Sequence, residues 1–290
     1  MGLTRLLAMV AVLCLGCRLT FADCPPRPAL NPLRSEPRYN SQVGQDRVVF
    51  SLLGNHSRGF FVDLAANDPK CISNTYTLEK WLGWNGICIE GNPFYIPKLR
   101  KQRDCTVIQT AVDTTAGQTV RFRVDNMYMG GIVSRDLDNK KTKGRSITLQ
   151  TQTLEGILDE HCAPRTIDYL SLDVEGAEWR VLQNFSFSRY QFRIMSIERP
   201  GKKLGRLLRM NGYTQVKTLG PYGDELWLST AFLRTLPRRA VGAVKAFKPR
   251  VTEPQACKHR SSGSSGGVPD TGLPLPVLVN PAPNSSDPFV

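Results

Sequence analysis

The 290-residue chain carries 38 Lys and Arg against 25 Asp and Glu, a formal net charge of +13, and 41% of its residues are hydrophobic. That content fills the core of one domain of about 200 residues with extensions, or of two small domains. The basic charge does not mark nucleic-acid binding. Aromatic residues make up 8% of the chain, and there is no zinc-finger spacing, RNP-like signature or basic helix with heptads, so no nucleic-acid partner is expected.

Residues 1–22 read as a signal peptide. Arg5 supplies the positive start, residues 6–17 an apolar run, and Thr20-Phe21-Ala22 the approach to a cut after Ala22. The run is short for a bilayer, so no transmembrane span is expected in the mature chain. The expected location is the secretory lumen or the cell exterior, with a type II membrane anchor as the alternative. Leu15-Gly16-Cys17 is only faintly like a lipobox. Beyond the leader stand Cys24, Cys71, Cys88, Cys105, Cys162 and Cys257, six thiols whose fifteen pairings the sequence does not resolve. Cys88, inside the apolar Gly86-Ile87-Cys88-Ile89, reads as a buried free thiol. No CxxC pair marks a structural zinc site. Sequons at Asn55, Asn184 and Asn284 agree with export.

Residues 23–40, rich in Pro and Arg, read as a linker, and the folded domain is expected over residues 41–235. Residues 60–64 form a short aromatic and β-branched strand. Ser73-Asn74-Thr75 opens a helix with Tyr76, Leu78 and Leu82 on one side. Residues 86–90 are the second strand, residues 93–100 a short helix opened by Pro93, and residues 106–108 start the third strand. Residues 126–145 are Gly- and Lys-rich without periodicity, either a mobile lid or a solvated insertion. Residues 167–173 (IDYLSLD) are the fourth strand, residues 177–182 a helix, and residues 193–198 the fifth strand. A helix over 204–211 stops at Gly212, and residues 213–219 and 225–229 close as a strand pair. Residues 236–290 are basic and irregular, then a Ser/Gly/Pro-rich tail that cannot bury enough apolar surface to order itself. Alternating strands and helices predict an α/β, Rossmann-like doubly wound, mostly parallel sheet with an antiparallel C-terminal edge.

The carboxylates fall where such a sheet binds ligands. Asp63, Glu90, Asp173 and Glu198 end the first, second, fourth and fifth strands, with Glu175 two residues past Asp173. The carboxyl ends of parallel strands share one edge, and a buried acid there needs a partner. An acid closing the second strand of a nucleotide-binding βαβ unit accepts ribose hydroxyls. The first turn, Leu64-Ala65-Ala66-Asn67-Asp68, lacks the glycine row that cradles a pyrophosphate. A nucleoside without phosphates fits better, and S-adenosylmethionine is such a ligand.

The stretches FFVDLAANDPKCISNTYTLEKWLGWNGICIEGNPFYIPKL, VIQTAV and IDYLSLDVEGAEWRVL stand in that order, after the opening Ser41-Gln42-Val43-Gly44-Gln45-Asp46. Together they resemble the FkbM-type methyltransferase domain, in its secretory eukaryotic form, over about residues 41–230. The resemblance implies a class I methyltransferase sheet. It implies S-adenosylmethionine along Asp63, Ala65 and Asn67, with Glu90 on the ribose, Asn92 and Ala111 near the adenine, and Asp173 facing the methionine end or the acceptor. It further implies methylation of a hydroxyl on a glycan or small metabolite, which calls for a base as the oxygen attacks. Asp173 and Glu175 are the candidates.

Two positions depart from the pattern: Ala65 stands where Gly is usual, and Pro69 where the loop carries another Gly. A Cβ at one and a fixed φ at the other oppose close approach by a cofactor. They motivate the alternative of a non-catalytic interaction or trafficking protein that retains the fold. A third reading is a secreted glycan-binding module holding an acidic glycan through the basic tail. No metal is assigned. The three histidines lie at no metal spacing, and Glu175, Glu178 and Glu198 are the set a divalent cation would choose. No G-x-S-x-G elbow occurs.

Overall fold

The computed structural model describes residues 30, 32–54, 56, 58–140, 144–253 and 257. The expected leader, Cys24, the sequons at Asn55 and Asn284, and the chain beyond Cys257 lie outside the described residues.

In chain order the elements are α1 (Gln45–Leu53), β1 (Phe60–Leu64), α2 (Tyr76–Leu82), β2 (Asn85–Glu90), α3 (Ile96–Gln102) and β3 (Thr106–Gln109). An intervening set follows: β4 (Ala111–Val112), β5 (Thr119–Arg123), β6 (Gly131–Ile132), β7 (Ser146–Gln152) and α4 (Leu154–Glu160). The chain then runs through β8 (Thr166–Leu172), α5 (Glu178–Leu182), β9 (Gln191–Glu198), α6 (Gly201–Met210), β10 (Tyr213–Leu219) and β11 (Asp224–Ser229). It ends with α7 (Thr230–Thr235) and α8 (Arg238–Ala246).

Seven strands make one sheet in the order β10-β11-β9-β8-β1-β2-β3. The chain starts in the middle at β1, winds outward to β3, returns to β8 on the other side of β1, and winds outward again. All pairings among β3, β2, β1, β8 and β9 are parallel, while β11 runs antiparallel to both β9 and β10. This is the doubly wound sheet with an antiparallel C-terminal edge expected from the alternation of elements. Helices cover both faces. Leu154, Ile157, Val181, Leu204 and Leu208 from α4, α5 and α6 pack on one, and Val48, Leu78, Leu99 and Val244 from α1, α2, α3 and α8 on the other. All five residues of β1 are buried for that reason.

The insertion between β3 and β8 forms a second sheet, β4-β7-β5-β6. Residues 126–140, without periodicity in sequence, contribute a single 3-10 turn and the two-residue β6 to it.

Several boundaries differ from the sequence expectation. The helix expected from Pro93 begins at Ile96, because the Asn92 side chain first accepts the Phe94 N–H in a tight turn. α6 begins at Gly201, three residues early, since the exposed Lys202 and Lys203 of its first turn carry no apolar signal. Residues 238–246, expected to be irregular, are helical, and Val244 and Phe247 are buried. The Phe247 ring lies where a Cβ on Gly44 would come within 2.5 Å, so the glycine, at φ +89°, is what admits it. Cys71 is bonded to Cys257, tying the far end of the described chain to the loop before α2. Cys162 is also disulfide-bonded, whereas Cys88 and Cys105 are free and buried. Among the described residues no helix is long and apolar enough to cross a membrane.

Candidate active site

β1 is the strand at which the winding reverses, and the crevice outside its carboxyl end is where open α/β sheets take ligands. Two turns meet there. After β1, the Ala65 and Ala66 N–H groups donate to the Ile89 carbonyl at 2.9 and 3.1 Å. Ala65 and Asn67 both adopt left-handed backbone, at φ +65° and +50°. The turn thus takes the conformation a glycine would give it, at a strain cost of about 1 kcal/mol for Ala65. Glu90 closes the turn from β2: one oxygen accepts the Asn67 N–H at 2.8 Å, the other the Asn92 N–H at 2.6 Å. Burial pushes Glu90 up to about 7, against the pull of these two donors. With the Gly91 N–H a third backbone donor, about one of its four lone pairs is left open.

After β8 the chain turns again through Val174, Glu175 and Gly176, with Glu175 at φ +56° and Gly176 at +93°. Here Glu178 is the brace, one oxygen accepting the Val174 N–H at 3.0 Å and the Gly176 N–H at 3.2 Å. Burial likewise pushes it up to about 7. The other acids of this turn crowd each other. Burial and the Glu198 and Glu175 carboxyls hold Asp173 well above the carboxylate range. Burial and Glu198 push Glu175 up to about 8. Burial pushes Asp224 up to about 6, opposed by the Gln45 amide that donates to it at 2.8 Å. Arg199 is the cation among them, 2.8 Å from Glu198, 2.5 Å from Asp138 and 3.6 Å from Glu175.

Between the turns lie two hollows open to solvent. One is mostly apolar: Ile89, Ala111, Val112, Phe122 and Ile132 line it, with Glu90 at its wall. The other is polar: Gln42, Gln45, Asp63, Asn74, Ser171 and Asp173 line it. Ala65 lines both. In the polar hollow the Asn74 amide nitrogen donates to Ser171 at 2.9 Å, while its buried oxygen has no partner.

The structure gathers Asp63, Ala65, Asn67, Glu90, Ala111 and Asp173 around this crevice. Asn92 stands apart: its amide donates to the Val124 carbonyl at 3.1 Å and its oxygen accepts the Phe94 N–H, so it braces the backbone. Glu175 sits beyond the polar hollow, among the acids. Asp63 has a second role, accepting from Thr75 at 2.6 Å, whose oxygen takes a bond from the buried Arg103, itself paired with Glu79 at 3.1 Å. Pro69 lines neither hollow, and its carbonyl receives Arg103. Of the expected cation set, the structure brings Glu178 and Glu198 together with Asp173, oxygens within 4.8 Å of one another. Glu175 is outside that trio, and Glu178 already holds two backbone N–H groups.

Sequence reasoning gave no role to Gln42, Gln45, Asn74 or Ser171. Gln42 and Gln45 belong to the SQVGQD opening, whose motif was visible without its use. Asn74 and Ser171 read as a helix start and a strand residue. Residues 130–132 of the insertion wall the apolar hollow. The same segment is pinned over the second turn, since Asp136 pairs with Arg180 at 2.8 Å and the Asp138 N–H donates to the Glu175 carbonyl at 3.1 Å.

Residues 63–210, half of the chain, match the family model described as the methyltransferase FkbM domain. No match was found among curated proteins. Two solved structures resemble the chain distantly. One is a precorrin-6y C5,15-methyltransferase from Geobacter metallireducens GS-15, at 11% identity and TM-score 0.35, over 63% of this chain and 84% of that one. The other is the METTL16 MTase domain, at 14% identity and TM-score 0.37, over 63% of this chain and 65% of that one. With the strand order, the crevice and the family match in hand, the chain belongs to the FkbM methyltransferase domain family.

Proposed function

We propose that this protein is an S-adenosylmethionine-dependent O-methyltransferase acting on a hydroxyl of a glycan or small metabolite in the secretory pathway. The observation that carries the reading is the junction at Ala65 of an apolar hollow walled by Glu90 with a polar hollow lined by acids and amides. A nucleoside joined to a zwitterionic amino acid has that division of chemistry along its length.

The residues fit such a donor. The apolar hollow at Ala111 and Phe122 suits the adenine, and the open lone pair of Glu90 suits a ribose hydroxyl. The Asn74 oxygen, buried without a partner, is an acceptor matched to the ammonium of the amino-acid end. Bound there, the cofactor supplies an electrophilic methyl group. Asp173 or Glu175 takes up the acceptor hydroxyl's one proton as its oxygen attacks. Burial and their acid neighbours raise the proton affinity of both, and Arg199 beside Glu175 favours the ionised, base-competent form of that group. The rest of the rate comes from holding the acceptor oxygen in line with the methyl group.

The leader at residues 1–22 and the Cys71–Cys257 bond support placing this chemistry in an oxidising lumen or outside the cell. The turn at Ala65 takes the left-handed backbone that a glycine would give it, which favours catalysis over the non-catalytic trafficking alternative.

The test offers labelled S-adenosylmethionine and a panel of glycans and hydroxylated metabolites to the purified protein. Base-stable methyl transfer is expected, falling about 100-fold or more in Glu175→Gln. Cofactor binding without transfer to any acceptor in the panel would give the ground to the trafficking reading.

A further inference from the structure

The chain's charge is gathered at one place in the fold. Residues 199–250 hold twelve Lys and Arg against two acids, ten of the chain's net +13 charges. These residues build α6, β10, β11, α7 and α8. α6 and α8 lie on opposite faces of the sheet, and both pack against its edge strand β10. On α6 the cations Lys202, Arg206 and Arg209 recur at helical spacing on the exposed side, opposite the buried Leu204 and Leu208. Lys217 of β10 donates to the Lys245 carbonyl of α8, joining the two sides. Among the described residues, Arg199 alone of the twelve lies within ion-pair distance of a carboxylate.

We propose that this basic edge, α6–β10–α8, binds a sulfated polysaccharide. The surface is part of the folded domain, whereas the tail beyond residue 250 carries more acids than bases. Its composition selects the partner. Single-stranded nucleic acid needs exposed aromatic platforms, and an interfacial membrane helix needs an exposed apolar face. In this stretch the exposed large apolar side chains are Met210 and Tyr222, on separate turns. What remains is recognition by charge along a polymer. The inference holds whether or not methyl transfer occurs at the crevice.

The test measures affinity of the whole protein for a heparin octasaccharide across a range of salt. The edge variant carries Lys202→Gln, Arg206→Gln, Arg238→Gln and Arg239→Gln. A charge-matched control carries Arg34→Gln, Lys98→Gln, Arg100→Gln and Lys101→Gln, all exposed and away from the edge. Heparin affinity is expected to fall about tenfold or more in the edge variant, with a shallower salt dependence, and about twofold or less in the control. Equal losses in both variants would overturn the proposal, since net charge alone would then explain retention. So would tighter binding of duplex DNA or phosphatidylserine vesicles than of heparin, or no heparin binding at about 150 mM salt, where surface charges are screened beyond about 8 Å.

Discussion

The two turns that meet at the crevice are built alike and surrounded differently. Each takes left-handed backbone at a residue that is not glycine, Ala65 in one and Glu175 in the other. Each is braced by a buried glutamate that accepts two backbone N–H groups and is pushed up to about 7. Around Glu90 the walls are apolar, and the nearest acid acting on it is Asp63. Around Glu178 stand Asp173 and Glu198, with Glu175 and Asp224 beside Glu198 and Arg199 the cation paired to it. A carboxylate alone at an apolar wall selects a ligand's hydroxyls. Carboxylates crowded together hold protons and are suited to exchanging them. On the proposed function, the first turn binds the cofactor and the second does the chemistry.

The largest expected effect separates those roles. Replacing Glu90 with Ala removes the ribose acceptor, and cofactor affinity is expected to fall about 100-fold or more, as loss of hydrogen bonds to a charged group costs about 1.5–3 kcal/mol each. Replacing Glu178 with Ala strands two buried N–H groups and costs about 2–4 kcal/mol of stability, with cofactor affinity within about threefold of wild type. Titration calorimetry and chemical denaturation on both variants check the contrast. Equal loss of affinity in both would erase the distinction between the turns.

That contrast was half legible in sequence. The strand-end acids Asp63, Glu90, Asp173 and Glu198 announced the sheet edge, because parallel strands are short apolar runs and an acid at the end of one stands out. Glu178 carried no such mark: it lies at the start of a helix, and only the curl of Val174–Gly176 brings two N–H groups to it. Asn92 likewise gave no sign in sequence that its amide would brace the backbone at Val124 and Phe94. The roof from residues 130–132 was hidden because an insertion without periodicity gives no sign of where it folds back. Residues 238–246 looked irregular because their only apolar side chains larger than Ala are Val241 and Val244 and Gly242 stands between them, and Val244 finds its partners in α1 and β10, remote in sequence.

The second expected effect lies in the acid-rich turn. Asp173→Asn and Glu175→Gln should each lower kcat by about 100-fold or more, the usual size of a general-base contribution, with cofactor affinity changed by about threefold or less. Because burial raises Glu175 to about 8, wild-type kcat/KM should climb with pH toward about 8. A flat profile from pH 6 to 9 would remove Glu175 from the role of base.

Stability should run the other way with pH. Glu90, Glu175 and Glu178 have folded-state values of about 7, 8 and 7 against an ordinary 4.5. Between pH 4.5 and those values the folded chain binds more protons than the unfolded chain. The stability they contribute is full below about pH 4.5 and is lost as pH rises through about 8. Thermal melting from pH 5 to 8.5 should show a falling midpoint, flatter in Glu175→Gln than in wild type. A midpoint that rises with pH across that window, by an amount the variant does not alter, would contradict the crowding of acids.

The smallest effect tests the strain at the junction. Ala65→Gly should stabilise the protein by up to about 1 kcal/mol, since relief of the left-handed Cβ contact outweighs the added freedom of the unfolded chain. Its cofactor affinity should rise a fewfold as the Cβ leaves the boundary of the two hollows. A destabilisation of similar size would mean that Ala65 is held by packing rather than strained.

The most direct test of the account is a calorimetric titration of S-adenosylmethionine into the protein, beside one lesion in each hollow, Glu90→Gln and Asn74→Ala. The account predicts binding at one site, weakened at least tenfold by either lesion, since each removes about one charge-assisted hydrogen bond. A well-folded protein that gives no binding heat at several temperatures, or binding that neither lesion disturbs, would contradict the claim that the two hollows joined at Ala65 form one cofactor site.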